Sequence, residues 1–172
     1  LGLEKKDKNP LNALDIFDRV LQIDEDNIFC LMEKGTLCEA LGRYDEAILS
    51  LNKILSNPET SKDYKNMAMI IIARSYLALK DTEKALRAAE SVEEGYESEK
   101  NSVLESIYFA SGRMYELLHL IKSMDKIGYR EKYMLLQCSL VLSKNSQGRI
   151  VAIIDDLLTD EKSSSAYERA RL

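Results

Sequence analysis

The sequence predicts an all-α solenoid in which helix pairs stack side by side along the chain. Three observations predict it. Apolar residues recur at three- and four-residue steps nearly throughout, the helical period and not the strand period. Seven glycines and two prolines among 172 residues are too few turn formers for a protein of many short strands. A small or apolar residue four places ahead of another apolar one also recurs, as Ala13–Phe17, Ala47–Leu51, Ala85–Ala89, Leu117–Ile121 and Ile150–Ile154, with first members 34, 38, 32 and 33 residues apart. A period of that length is the mark of a repeat architecture.

Each element follows from its own residues. Leu11 to Leu21 carries Leu11, Leu14, Ile16, Phe17, Val20 and Leu21, a stripe wide enough to bury one helix face. Asp26 or Asn27 can cap the next helix, Ile28 to Leu41, which ends at Gly42, the residue type that most easily turns left-handed. The helix opened by Arg43-Tyr44-Asp45-Glu46 runs to Leu55, with its acids at the positive end of the dipole. Turn chemistry follows at Ser56 to Ser61, where Pro58 cannot continue a helix. Helices are then expected at Asp63–Leu79, Asp81–Val92, Ser98–Ser111, Arg113–Met124, Arg130–Ser143 and Ser146–Leu158, and a further one can begin within Ser163–Leu172. In units, the chain reads as one repeat domain over residues 1–172: a partial first repeat at 11–27, repeats at 28–62 and 63–97, degenerate repeats at 98–128 and 129–160, and a further helix or tail at 161–172.

Composition excludes several classes of function. Hydrophobic residues at 45% and charged residues at 31% describe a chain able to fold. A formal net charge of −5 argues against nucleic acid, whose binders gather Lys and Arg on one face. The longest apolar stretch, Met67 to Ala73, falls far short of the roughly 20 residues a membrane span needs. Cys30, Cys38 and Cys138 lack metal-ligand spacing and read as small buried hydrophobes of a reduced, cytoplasmic compartment. His119, the one histidine, lies in the apolar run Leu117 to Ile121 and is expected to be a partly buried structural residue. With no glycine-rich phosphate loop and no nucleophile–histidine motif, no enzyme, catalytic residue, cofactor or metal is expected. The start without methionine and the helix-compatible run at Arg171-Leu172 are what a piece of a longer protein would show.

The best-formed unit is Leu31-x-x-Lys34-Gly35-x-x-Cys38 followed by Ala47-x-x-x-Leu51, with Leu41-Gly42-Arg43-Tyr44 between them. The next is Met69-x-x-Ile72-Ala73-x-x-Tyr76 with Ala85-x-x-x-Ala89. These units resemble the tetratricopeptide repeat, whose first helix carries a small residue before a tyrosine and whose second carries Ala-x-x-x-Phe. Gly35 and Ala73 then sit where a partner helix crosses too closely for a longer side chain. The third unit, Leu104-Glu105-x-x-Tyr108 with Leu117-x-x-x-Ile121, puts Glu105 at that small position, although Ser111-Gly112-Arg113 repeats the earlier turn. In the last unit Met134, Cys138 and Val141 fit the first helix, while Gly148-Arg149 leaves Ile150 and Ile153 as alternatives for the second.

The resemblance implies a right-handed superhelix of about four to five helix pairs whose first helices line a concave groove for a segment of a partner protein. It assigns to that groove Phe29, Met32, Glu33, Thr36 and Glu39, then Met67, Ile70, Ile71, Arg74 and Leu77, then Phe109, Leu135 and Ser139. So many apolar residues imply an amphipathic helix or an extended apolar peptide, with Arg74 and Glu39 setting its polar register. Alternatives are that these residues touch neighbouring helices, that a homodimer buries them, or that the array is the docking or sensor module of a larger regulator. The Lys/Asn/Arg clamp by which some members of this family grip chaperone C-termini is not matched, because Met32, Thr36, Ile70 and Ile71 stand where its polar residues belong.

Overall fold

A computed structural model describes residues 10–124 and 128–142, and these form eight helices with no strand among them. They are α1 (Pro10–Ile23), α2 (Ile28–Ala40), α3 (Tyr44–Ser56), α4 (Lys62–Ala78), α5 (Thr82–Glu90), α6 (Glu97–Ala110), α7 (Met114–Lys122) and α8 (Tyr129–Leu142). All eight fall within about two residues of the spans the periodicity predicts. The expected helices at 146–158 and 163–172 lie outside the described residues.

Local chemistry sets the ends. Pro10 opens α1, where its missing N–H would have no helical partner. Asn27 caps α2 by accepting from the Cys30 N–H at 3.0 Å, and its amide donates to Asp24. Asp81 does the same for α5, accepting from the Lys84 N–H at 3.1 Å.

Three helix pairs turn in one way. At the first turn Gly42 has φ +74° and Arg43 N–H donates to the Cys38 carbonyl at 2.8 Å. At the third, Gly112 has φ +69° and Arg113 N–H donates to the Tyr108 carbonyl at 2.8 Å. The second turn has the same hydrogen bond, Asp81 N–H to the Tyr76 carbonyl at 2.9 Å, but its left-handed residue is Lys80, with φ +63°. Each is a Schellman close, in which the left-handed residue lets the chain reverse while satisfying the last carbonyls. The left-handed conformation costs a residue with a Cβ about 1 kcal/mol or more. Lys80→Gly is therefore expected to stabilise the fold by about 0.5–1 kcal/mol, read as a higher guanidinium midpoint at unchanged slope. A lower midpoint would contradict a left-handed Lys80.

The chain divides into two compact units, Leu1–Ile107 and Tyr108–Leu172. In the first, helices pack in series: α1 on α2, α2 on α3, α3 on α4 and α4 on α5, and α2 also touches α4. One core joins α1, α2 and α3, with Ala13, Leu14 and Phe17 packed on Cys30, Leu37, Cys38 and Ala47. The loop after α5 is tied to α4, because the buried Asn66 side chain accepts from the Glu93 N–H at 3.0 Å. Lys62 reaches the Glu93 carboxylate at 2.8 Å, and Lys100 of α6 donates to the Val92 carbonyl at 2.8 Å. Glu105, which stands in the place of Gly35 and Ala73, is buried. In the second unit α7 packs on α8, with a core of Leu117, Ile121, Met134 and Cys138.

Candidate functional site

The outward face of α2 is fixed by what its other faces bury. A Cβ added to Gly35 would lie 2.6 Å from Leu51 Cγ and Cδ2, so α3 crosses α2 at that glycine. Leu31 and Cys38, one turn to either side of Gly35, share this side and are buried. Cys30 and Leu37 go into the core with α1. The remaining stripe is Phe29, Glu33, Thr36 and Ala40, spaced as one helix face. On α4 the corresponding exposed stripe is Asp63, Met67, Arg74 and Ala78.

Phe29 and Met67 stand 38 residues apart at the same place in successive pairs, and their exposures are 46% and 43%. The two helices are bridged by Arg74, whose Nε and Nη2 donate to the two Glu39 carboxylate oxygens at 3.1 and 3.2 Å. This fork occupies one edge of the guanidinium and sits at the surface, so it adds at most about 1 kcal/mol to stability. Thr36 turns its hydroxyl back onto its own helix, donating to the Met32 carbonyl at 2.9 Å. Glu33 is half-buried within the α2 stripe, and Leu77 is half-buried beside that of α4.

Met32, Ile70 and Ile71, expected to line an open apolar groove, are buried instead, at 4%, 7% and 6% exposure. They flank the two exposed stripes, and with α2 touching α4 directly, side chains on those flanks go into the seams between helices. The open face of α2 and α4 is consequently mixed: two large apolar side chains among carboxylates, a hydroxyl and one arginine. Phe109, Leu135 and Ser139 belong to the second unit. Phe109 is exposed there, Leu135 is half-buried against the Leu117–Cys138 core, and Ser139 is half-buried.

Sequence reasoning passed over one residue here and misplaced another. Asp63 belongs to the α4 stripe, and its spacing of four ahead of Met67 was the available signal. His119 is exposed, which corrects its expected partial burial. Leu117 and Ile121 fill the core from one side of α7, and a residue two places after Leu117 points the other way. His119 lines an open cavity of about 380 Å³ with Tyr108, Tyr115, Glu116, Leu120 and Ser123. The first unit has a shallow notch of about 480 Å³ at the far side of α3, lined by Leu49, Asn52, Lys53 and Pro58 together with Glu25 and Asp26.

All three cysteines are free and buried. Burial pushes the thiols of Cys30, Cys38 and Cys138 upward, and nearby carboxylates add to this at Cys30 and Cys38. Protonated thiols are poor nucleophiles, so these side chains act as packing groups. Among the described residues no three His, Cys, Asp or Glu side chains are placed to hold a metal ion. No helix among them is long and apolar enough to cross a membrane.

No family model matches the chain, and neither a curated protein nor a solved structure does.

Proposed function

We propose that this chain is a helical-repeat adaptor of the tetratricopeptide kind, stacked as a right-handed superhelix, and that it binds a segment of a partner protein along the shared face of α2 and α4. The observation that carries the reading is the exposure of Phe29 and Met67 at equivalent places in consecutive pairs. Large apolar side chains kept in water by a packed scaffold are the common anchors of interfaces. The recurrence of one Schellman turn at Gly42, Lys80 and Gly112 supports a repeating unit. The Arg74–Glu39 fork supports a stiff platform, since it joins the two helices that carry the anchors.

The test uses a display library of twelve-residue peptides selected on the full chain. Fluorescence anisotropy then compares wild type with the Phe29→Ala/Met67→Ala double variant. Both side chains are about half exposed, so the variant should keep its helical circular dichroism while its dissociation constants rise tenfold or more. Binding that ignores the double substitution removes this face as the docking site.

A further inference from the structure

We infer that the cavity beside His119 binds an alkylated ammonium group, held by cation–π contact with its rings and by the charge of Glu116. The residues that line it all lie in the second unit, and three of them, Tyr108, Tyr115 and His119, carry aromatic rings. The preceding helix pair shows what this position can hold. Counting back 32 residues, the spacing of Ala85 and Leu117, sets Tyr108 on Tyr76, Glu116 on Lys84 and His119 on Arg87. The turns share that register, since the Tyr76 and Tyr108 carbonyls accept from the Asp81 and Arg113 N–H groups. In the second pair the cation is built in: the Lys84 ammonium lies 5.4 Å from the centre of the Tyr76 ring, within cation–π range. In the third pair the tyrosine is kept, a carboxylate replaces the lysine, and Tyr115 and His119 bring two more rings where the second has Glu83 and Arg87.

Glu116 keeps its charge for a ligand. In the first pair Arg43 holds Glu46, three residues on, whereas Arg113 makes no ion pair with Glu116 at the same spacing. Among the described residues Glu116 has no salt bridge, and no lysine or arginine lines the cavity; Lys122, the next base along α7, lies outside the lining. Size and donor set then select the kind of cation. A space of about 380 Å³ is far larger than a bare metal ion fills, and no three His, Cys, Asp or Glu side chains among the described residues are placed to ligate one. A primary ammonium carries three N–H donors, each wanting an acceptor. Alkylation removes that demand and spreads the charge over apolar carbon, which suits ring faces and the half-buried Leu120. Such a group comes either from a methylated lysine side chain or from a free choline-like molecule.

The experiment titrates the full chain with choline, with its uncharged carbon analogue dimethylbutanol, and with a peptide carrying trimethyl-lysine. Binding is followed by the imidazole resonance of His119, the one histidine of the chain. The expected result is a saturable shift with choline and binding of the neutral analogue weaker by about tenfold, the scale of a desolvated cation–π contact. Glu116→Lys sets an ammonium where the second pair has one, at an exposed position, so it should keep the parent's helical circular dichroism and weaken choline by about tenfold or more. Tyr115→Leu should weaken choline as well. Tighter binding of the trimethyl-lysine peptide than of choline supports the site and names a modified protein side chain as the source, and the reverse order supports it with a free small molecule. Equal binding of choline and dimethylbutanol overturns the cation and leaves an apolar cleft. A His119 resonance that neither choline nor the peptide moves, or choline binding indifferent to Glu116→Lys and Tyr115→Leu, overturns the site.

Discussion

Gly35→Leu is expected to lower the unfolding free energy by about 3 kcal/mol or more, the upper end of what overpacking a core costs. The Cβ alone would stand 2.6 Å from Leu51 Cγ and Cδ2 and 3.2 Å from Cδ1, so the clash begins at the first added carbon. Leu51 cannot swing aside, being fully buried in the α2–α3 contact. Replacing a mid-helix glycine normally gains up to about 1 kcal/mol of helix propensity, less than the strain at this contact. Even Gly35→Ala should therefore lose stability, by about 1–2 kcal/mol. Guanidinium unfolding followed by circular dichroism measures both. A Gly35→Leu protein as stable as its parent would mean that α3 does not cross α2 at this residue.

Phe17→Ala should be comparably damaging, at about 3–5 kcal/mol for a buried phenylalanine truncated in a core. The ring is 2% exposed and sits in the cluster that joins α1 to α2 and α3. Because α1 buries only Ala13, Leu14 and Phe17, its attachment depends heavily on that ring. The damage should appear first as faster amide exchange in α1, followed by a lower midpoint for the whole unit. Leu49→Ala, at a position 69% exposed, serves as the control and should shift the midpoint by less than about 0.5 kcal/mol. A Phe17→Ala protein that behaves like the Leu49→Ala control would detach α1 from the core described above.

The helices were legible because their apolar spacing, caps and glycine stops all point to the same boundaries. Gly35 was legible too, since a glycine inside an otherwise good helix calls for a close neighbour. Lys80 was not, because nothing in Leu79-Lys80-Asp81 supplies the residue type that takes a left-handed turn without strain. The open face was only partly legible, and the reason is physical. First helices such as α2 and α4 touch neighbours on several sides, so apolar residues surround most of their circumference. Spacing alone could not say that Met32, Ile70 and Ile71 go into seams while Phe29 and Met67 stay outside. For His119 the run Leu117 to Ile121 is apolar all round, and only the docking of α8 against Leu117 and Ile121 decides which side is inside.

Which side chains of α2 stand outward follows from where α3 presses on it, so the proposed docking face rests on the contact of Gly35 with Leu51. A double-mutant cycle measures that contact directly. With Leu51 truncated to Ala, the space in front of Gly35 opens, and Gly35→Ala should change from costing about 1–2 kcal/mol to neutral or slightly stabilising, a coupling of 1 kcal/mol or more. Additivity within about 0.5 kcal/mol would show that the two residues do not meet, and the outward stripe of Phe29, Glu33 and Thr36 would lose its basis.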